Sequence, residues 1–144
     1  MNTKKRLLSV LLACCCLSTA MAESLSKTTW ISLDDKTGKP RAVIELNEQN
    51  GVVSGHIASV YPQPGDTGIC SKCPGEFKDK PIKGIGFLWG LKQTGPQNWD
   101  GGHILDPKTG KVYRVKMMLN GKKLYVRGYI GFSVLGRTQI WERA

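Results

Sequence analysis

Cys70 and Cys73 have the clearest chemical potential in this sequence. A Cys-x-x-Cys pair can exchange electrons, supply half of a metal site, or close a small disulfide. Redox pairs of this spacing sit at a helix N-terminus, which lowers the thiol pKa. Here Pro74 and Gly75 follow the second cysteine, and no helical pattern continues. A zinc site needs two further ligands. His56 and His103 are the only histidines, and neither has ligand spacing. A structural disulfide between Cys70 and Cys73 is favoured, with no metal and no cofactor.

The other candidates are weaker. Glu45 could orient His56 as a general base, but both fall on the solvated face of a hairpin. Asp100 and Asp106 bracket Gly101-Gly102, yet two acids lack the rest of a calcium ligand set, and turn chemistry explains them. No serine occupies a nucleophile motif, and no glycine-rich phosphate loop precedes a helix. The expectation is that the protein is not an enzyme, with no catalytic residue.

These residues sit in a chain of two parts. Residues 1–22 read as a signal peptide. Lys4, Lys5 and Arg6 form a positive start, Leu7 to Leu17 is apolar, and Ala20-Met21-Ala22 offers a small-x-small cleavage site. The apolar run is too short to span a bilayer. A lipoprotein anchored through Cys14 is the rival. Cleavage would leave residues 23–144 as one domain, in the periplasm or alternatively secreted. Three of 21 basic residues leave with the leader, so 18 face 11 acids and the net charge falls from +10 to +7. That excess suits an anionic envelope surface or an acidic partner. Three of five cysteines leave as well. The remaining pair suits an oxidising compartment.

Short alternating runs punctuated by glycine predict strands at Thr28–Leu33, Arg41–Gln49, Val52–Tyr61, Ile82–Gln93, Gly102–Leu105, Lys111–Leu119, Lys122–Ile130 and Arg137–Glu142. The fold class is all-β: a single up-and-down antiparallel barrel of about eight strands. No internal repeat is expected. The long connection runs from Pro62 to Pro81 and carries the cysteines, while Asp106 to Gly110 forms a tight turn.

Asn50-Gly51 and Asn120-Gly121 favour two-residue hairpin turns. The first pairs Ile44 with Ile57, Leu46 with Gly55 and Glu45 with His56. The second pairs Met117 with Leu124 and Val115 with Val126, and sets Tyr113 against Gly128. It also sets Arg114 against Arg127, a like-charge pair that could hold an anion. The apolar stretch from Tyr129 to Gly136 reads as a plug over one barrel end, or else as an exposed membrane or ligand contact. Trp89 reads as core more than as a ligand contact.

Trp99-Asp100-Gly101-Gly102-His103-Ile104-Leu105-Asp106-Pro107, Gly110-Lys111-Val112-Tyr113, Leu124 to Gly131, and Leu135-Gly136-Arg137-Thr138-Gln139 with Trp141 and Arg143 resemble the bacterial domain of unknown function 2147. The Cys70-x-x-Cys73 loop resembles it too. The resemblance covers nearly all of the chain after the leader. It implies export, a lipocalin-like or calycin-like barrel, and no established reaction. Lipocalins open with a Gly-x-Trp whose ring packs under a late arginine. Trp30 matches that ring, but Thr28 stands in place of the glycine. Barrel closure would then fall to Trp30, Trp141 and Arg143, with Arg137 as the rival covering arginine.

The function expected is binding of a small hydrophobic or amphipathic ligand, such as a lipid, in the cell envelope. The candidate contacts are Trp89, Tyr113, Arg114, Arg127, Tyr129 and Phe132. The alternative is a non-enzymatic interaction or structural protein with a filled barrel and a basic surface. An OB-fold is disfavoured by strand count and export, so nucleic acid is not the expected partner.

Overall fold

The structure, a computed structural model, describes residues 14–19, 21–132 and 136–144. Part of the expected leader (residues 1–13 and Ala20) and residues 133–135 of the apolar stretch lie outside the described residues. No helix among the described residues is long and apolar enough to cross a membrane.

Eight strands follow one another: β1 (Thr28–Leu33), β2 (Pro40–Gln49), β3 (Val52–Val60), β4 (Leu88–Gly95), β5 (Asn98–Leu105), β6 (Val112–Asn120), β7 (Lys123–Tyr129) and β8 (Arg137–Arg143). Each pairs antiparallel with the next, and β8 returns to β1 through Trp30–Arg143 and Ser32–Trp141. The sheet therefore has no free edge. Strand direction alternates, so the connections divide between two ends. Three tight turns and both ends of the barrel segment lie at the floor. The four longer connections lie at the mouth.

Two strand starts differ from the sequence pattern by four residues or more. β4 begins at Leu88 rather than Ile82. Gly84 takes a left-handed φ of 90°, and the Ile57 N–H donates to Ile85 O, so this segment runs beside β3 outside a regular ladder. β5 begins at Asn98 rather than Gly102. Gly101, at φ 77°, carries the strand through an irregularity in pairing with β6 instead of starting it.

The first hairpin keeps its expected register: Ile44 pairs Ile57, Glu45 pairs His56 and Leu46 pairs Gly55. Asn50 and Gly51 both take positive φ, as a type I′ turn requires. The second hairpin is corrected by two residues. Leu119 pairs Leu124, Met117 pairs Val126 and Val115 pairs Gly128. Asn120 joins the strand, and Gly121-Lys122 makes the turn with only Gly121 at positive φ. Arg114 therefore faces Tyr129, and Arg127 faces Lys116; the expected Arg114–Arg127 pair does not form.

The structure also brings out a repeat. Leu33-Asp34-x-Lys36-Thr37-Gly38-Lys39 recurs as Leu105-Asp106-x-Lys108-Thr109-Gly110-Lys111, at the β1–β2 and β5–β6 turns. The hydrogen bonds repeat as well. The N–H of Asp34 donates to Lys39 O and that of Asp106 to Lys111 O, both at 2.8 Å. The N–H groups of Lys36 and Lys108 donate to Asp34 Oδ1 and Asp106 Oδ1, both at 2.9 Å. Further on, Val53-Ser54-Gly55-His56-Ile57 on β3 matches Val126-Arg127-Gly128-Tyr129-Ile130, which begins on β7. The barrel is thus two similar halves, β1–β4 and β5–β8.

Alternate residues of each strand point into the lumen. Trp30, Leu46, Val53, Leu91, Trp99, Val115, Leu124 and Trp141 retain 0–1 % of their surface. No water-sized void can lie beside such side chains, so the floor half of the barrel is solid. Three indoles supply much of the buried apolar area.

A strap, residues 23–27, closes the floor. The Glu23 N–H donates to Pro96 O, Gln93 Nε2 donates to Glu23 O, and Leu25 is fully buried. Thr28 explains the missing glycine. Trp30 Nε1 donates to Thr28 Oγ1 at 2.8 Å, and that hydroxyl donates to Leu25 O at 2.7 Å. The threonine ties the central indole to the strap, a link glycine cannot make. Arg143 lies over the Trp30 ring at 5.3 Å. It is the covering arginine, because Arg137 is at the other end in an ion pair with Asp35.

The long connection crosses the mouth. Cys70 and Cys73 are bonded and buried, and both sulfurs approach Pro107 O. Gly110 is pressed against this loop. A Cβ there would lie 1.8 Å from Lys72 O. Together these contacts hold the loop on the β5–β6 turn.

Candidate functional site at the barrel mouth

Above the buried tryptophans the lumen changes character. Trp141 continues to Gln139 and Arg137 on the same face of β8, and both of these are exposed. Across from them, Tyr113 and Ile104 pair with each other and are half-buried. Val115 pairs with Gly128, and the Tyr113 ring passes over that glycine, 3.8 Å from where its Cβ would be. The ring does cover the bare backbone, although the register expected for it was two residues off. Trp141 Nε1 donates to Gln139 Oε1 at 3.3 Å, and Phe87 packs against the Trp141 ring at 6.0 Å. Among the described residues, the mouth end forms a cup with an aromatic and aliphatic wall and an amide and a guanidinium on its rim.

Of the six expected ligand contacts, only Tyr113 faces this cup. Phe132 is 75 % exposed in the β7–β8 connection at the mouth. Trp89, Arg114, Tyr129 and Arg127 point outward, because each flanks a lumen-facing neighbour: Leu88, Val115 and, for the last two, Gly128. They are not scattered. Trp89 pairs His103, His103 pairs Arg114, and Arg114 pairs Tyr129, in one row across β4–β7. The Trp89 ring stacks between Phe77 and His103, with both centroids at 5.8 Å. Trp89 thereby anchors the cysteine loop to the outer wall and packs on the edge of the core.

Arg114 lies 5.7 Å from the Tyr129 centroid, and the Tyr129 hydroxyl donates to Asp100 Oδ1. Burial and the Asp100 carboxylate raise the Tyr129 pKa above 10.0, and Arg114 partly opposes them. Arg127 donates to Thr138 Oγ1 at 2.9 Å. A groove of about 550 Å³ runs along this wall beside Asn98, Asp100, Lys116, Met118, Tyr125 and Arg127.

The other candidates are structural. His56 and Glu45 form the expected surface pair at 3.0 Å, half exposed. Asp106 and Asp34 serve as turn caps, and Asp34 is held below its ordinary pKa by the Thr37 and Lys36 N–H groups. Among the described residues no three of His, Cys, Asp and Glu converge on one point.

Comparison with known proteins agrees with this architecture. A solved structure, protein HP1028 from Helicobacter pylori, described as belonging to the lipocalin family, superposes with a TM-score of 0.72. It is 21 % identical, with 86 % of this chain and 84 % of that chain covered. The likeness establishes a lipocalin-like fold. No curated protein matches the chain significantly. The family model for an uncharacterised protein conserved in bacteria, DUF2147, matches residues 28–143. This chain, with its disulfide-pinned mouth and tryptophan-filled floor, belongs to that family.

Proposed function

We propose that the protein is an exported, non-catalytic binding module that takes a small amphipathic ligand at the mouth of its barrel. One observation carries this. Toward the mouth the inner face of the barrel passes from fully buried indoles to the half-buried Tyr113 and Ile104 and the exposed Gln139. An apolar segment would lie on Ile104, Phe87 and the Tyr113 ring. A polar head would reach Gln139 and Arg137. The lipocalin-like fold supports small-ligand binding as a class, and a cup half-filled by indoles favours a short ligand over a deeply enclosed one. Residues 1–22 and the buried disulfide support a periplasmic location.

Native mass spectrometry of protein from its own periplasm, followed by lipid extraction, tests the proposal. Recovery of a bound amphiphile that Tyr113→Ala loses is expected. Empty protein, with no thermal shift on adding fatty acids or lysophospholipids, would overturn ligand carriage. It would favour the second reading, an envelope interaction or structural protein, to which the filled floor also points.

A further inference from the structure

The two repeated turns, β1–β2 and β5–β6, lie on opposite sides of the closed barrel at its mouth. Each carries two lysines, Lys36 with Lys39 and Lys108 with Lys111, and all four are exposed. The turn itself does not call for them. Its hydrogen bonds use the Asp carboxylate, the Thr hydroxyl and backbone groups, and from the lysines they take only main-chain atoms. The neighbouring acids are already engaged. Asp34 and Asp106 accept N–H groups of their own turns, and Asp35 pairs with Arg137. Among the described residues no carboxylate lies within ion-pair distance of the four lysines. The repeat thus presents the same pair of ammonium groups twice, with no role for them in the fold.

The other two mouth connections bring apolar side chains to the same end. Tyr61 and Ile69 stand in the β3–β4 connection, and Ile130 and Phe132 in the β7–β8 connection. Val112 opens β6 beside Lys111. Among the described residues from Glu23 onward, the exposed large apolar side chains are these five and Met118. Only Met118 lies away from the mouth. Single exposed hydrophobics scatter over ordinary surfaces, whereas a set gathered at one end marks a contact. These side chains are spread around a ring instead of one groove, which suits a planar fluid surface better than a folded partner. Protruding apolar side chains flanked by ammonium groups match the boundary of an anionic bilayer, with phosphates outside and acyl chains beneath.

We propose that the mouth of the barrel docks on an anionic phospholipid surface. Lys36, Lys39, Lys108 and Lys111 meet headgroup phosphates from opposite sides of the rim. Tyr61, Ile130 and Phe132 enter the interfacial layer. This docking goes beyond ligand binding in the cup and holds whether or not the cup is filled.

Vesicle co-sedimentation of the protein purified from its own cells tests this. Binding to phosphatidylcholine vesicles containing phosphatidylglycerol, falling as salt rises, and no binding to phosphatidylcholine alone are expected. The double variants Lys36→Gln/Lys39→Gln and Lys108→Gln/Lys111→Gln should each weaken binding about tenfold. Phe132→Ser should weaken it at unchanged charge. Lys122→Gln/Lys123→Gln removes as much charge from a floor turn and should have no effect. An equal loss in that variant would reduce the effect to net charge and overturn the mouth as a site. Failure to bind anionic vesicles would overturn the proposal, as would full binding by Phe132→Ser together with either mouth double variant. Circular dichroism melts of each variant establish that it is folded.

Discussion

Trp30 and Trp99 are both buried in the floor, but only one has a partner for its indole N–H. Trp30 donates to Thr28, while Trp99 Nε1 has no hydrogen-bond partner among the described residues. Trp→Phe removes similar volume at each site, so the comparison isolates the hydrogen bond. Trp30→Phe should cost more stability than Trp99→Phe, by about 1–3 kcal/mol, because it also strands the Thr28–Leu25 relay. Thermal melts of the two variants check this. Tyr129 offers a second test. Its folded pKa is raised, so its stabilising effect is complete below the ordinary tyrosine value of 10.0 and is lost as pH rises through the folded value. Phenolate absorbance should show Tyr129 ionising above 10.0. Asp100→Asn should move its transition back toward 10.0.

At the scale of elements, the two hairpins show what could be read in advance. Asn50-Gly51 is flanked by residues that pair only one way, and the expected register formed. Asn120-Gly121 looked equivalent but slipped by two. A one-residue slip exchanges core and solvent faces; a two-residue slip preserves them. Hydrophobic pattern therefore distinguishes odd errors from correct registers but cannot see even ones. That slip replaced an Arg114–Arg127 pair with Arg114 over Tyr129 and Lys116 beside Arg127. Trp89 was obscured for a related reason: its apolar neighbours do not reveal that Leu88 takes the lumen and Trp89 the outside. The cup was hidden because Gln139 and Arg137 carry no apolar signal. The cysteine loop gives a prediction at this scale. Reducing Cys70–Cys73 should cost about 2 kcal/mol, with increased amide exchange concentrated between residues 62 and 87. Gly110→Ala should produce similar loosening with the disulfide intact, since the new methyl displaces Lys72 O. Hydrogen-exchange mass spectrometry reads both outcomes.

For the whole molecule, the number of strands and their order were legible, because alternation and turn residues agreed along the chain. The repeat was not, because only its turns and glycines kept their identity while the outer residues diverged. The expected leader yields a direct prediction. The intact mass of protein purified from its own cells should correspond to a chain beginning at Glu23 and carrying one disulfide. A mass retaining residues 1–22 would refute processing at Ala22. The strap matters here too. Its bonds from Glu23 to Pro96 and from Gln93 to Glu23 fasten the turn that joins the two halves of the barrel. That turn is the only covalent link between them. Were it to open, β1–β4 of one copy could close with β5–β8 of another, making two complete barrels from contacts that already exist. The strap therefore acts as a latch against such exchange. An untethered N-terminus would turn the protein's own symmetry into a route to entangled dimers.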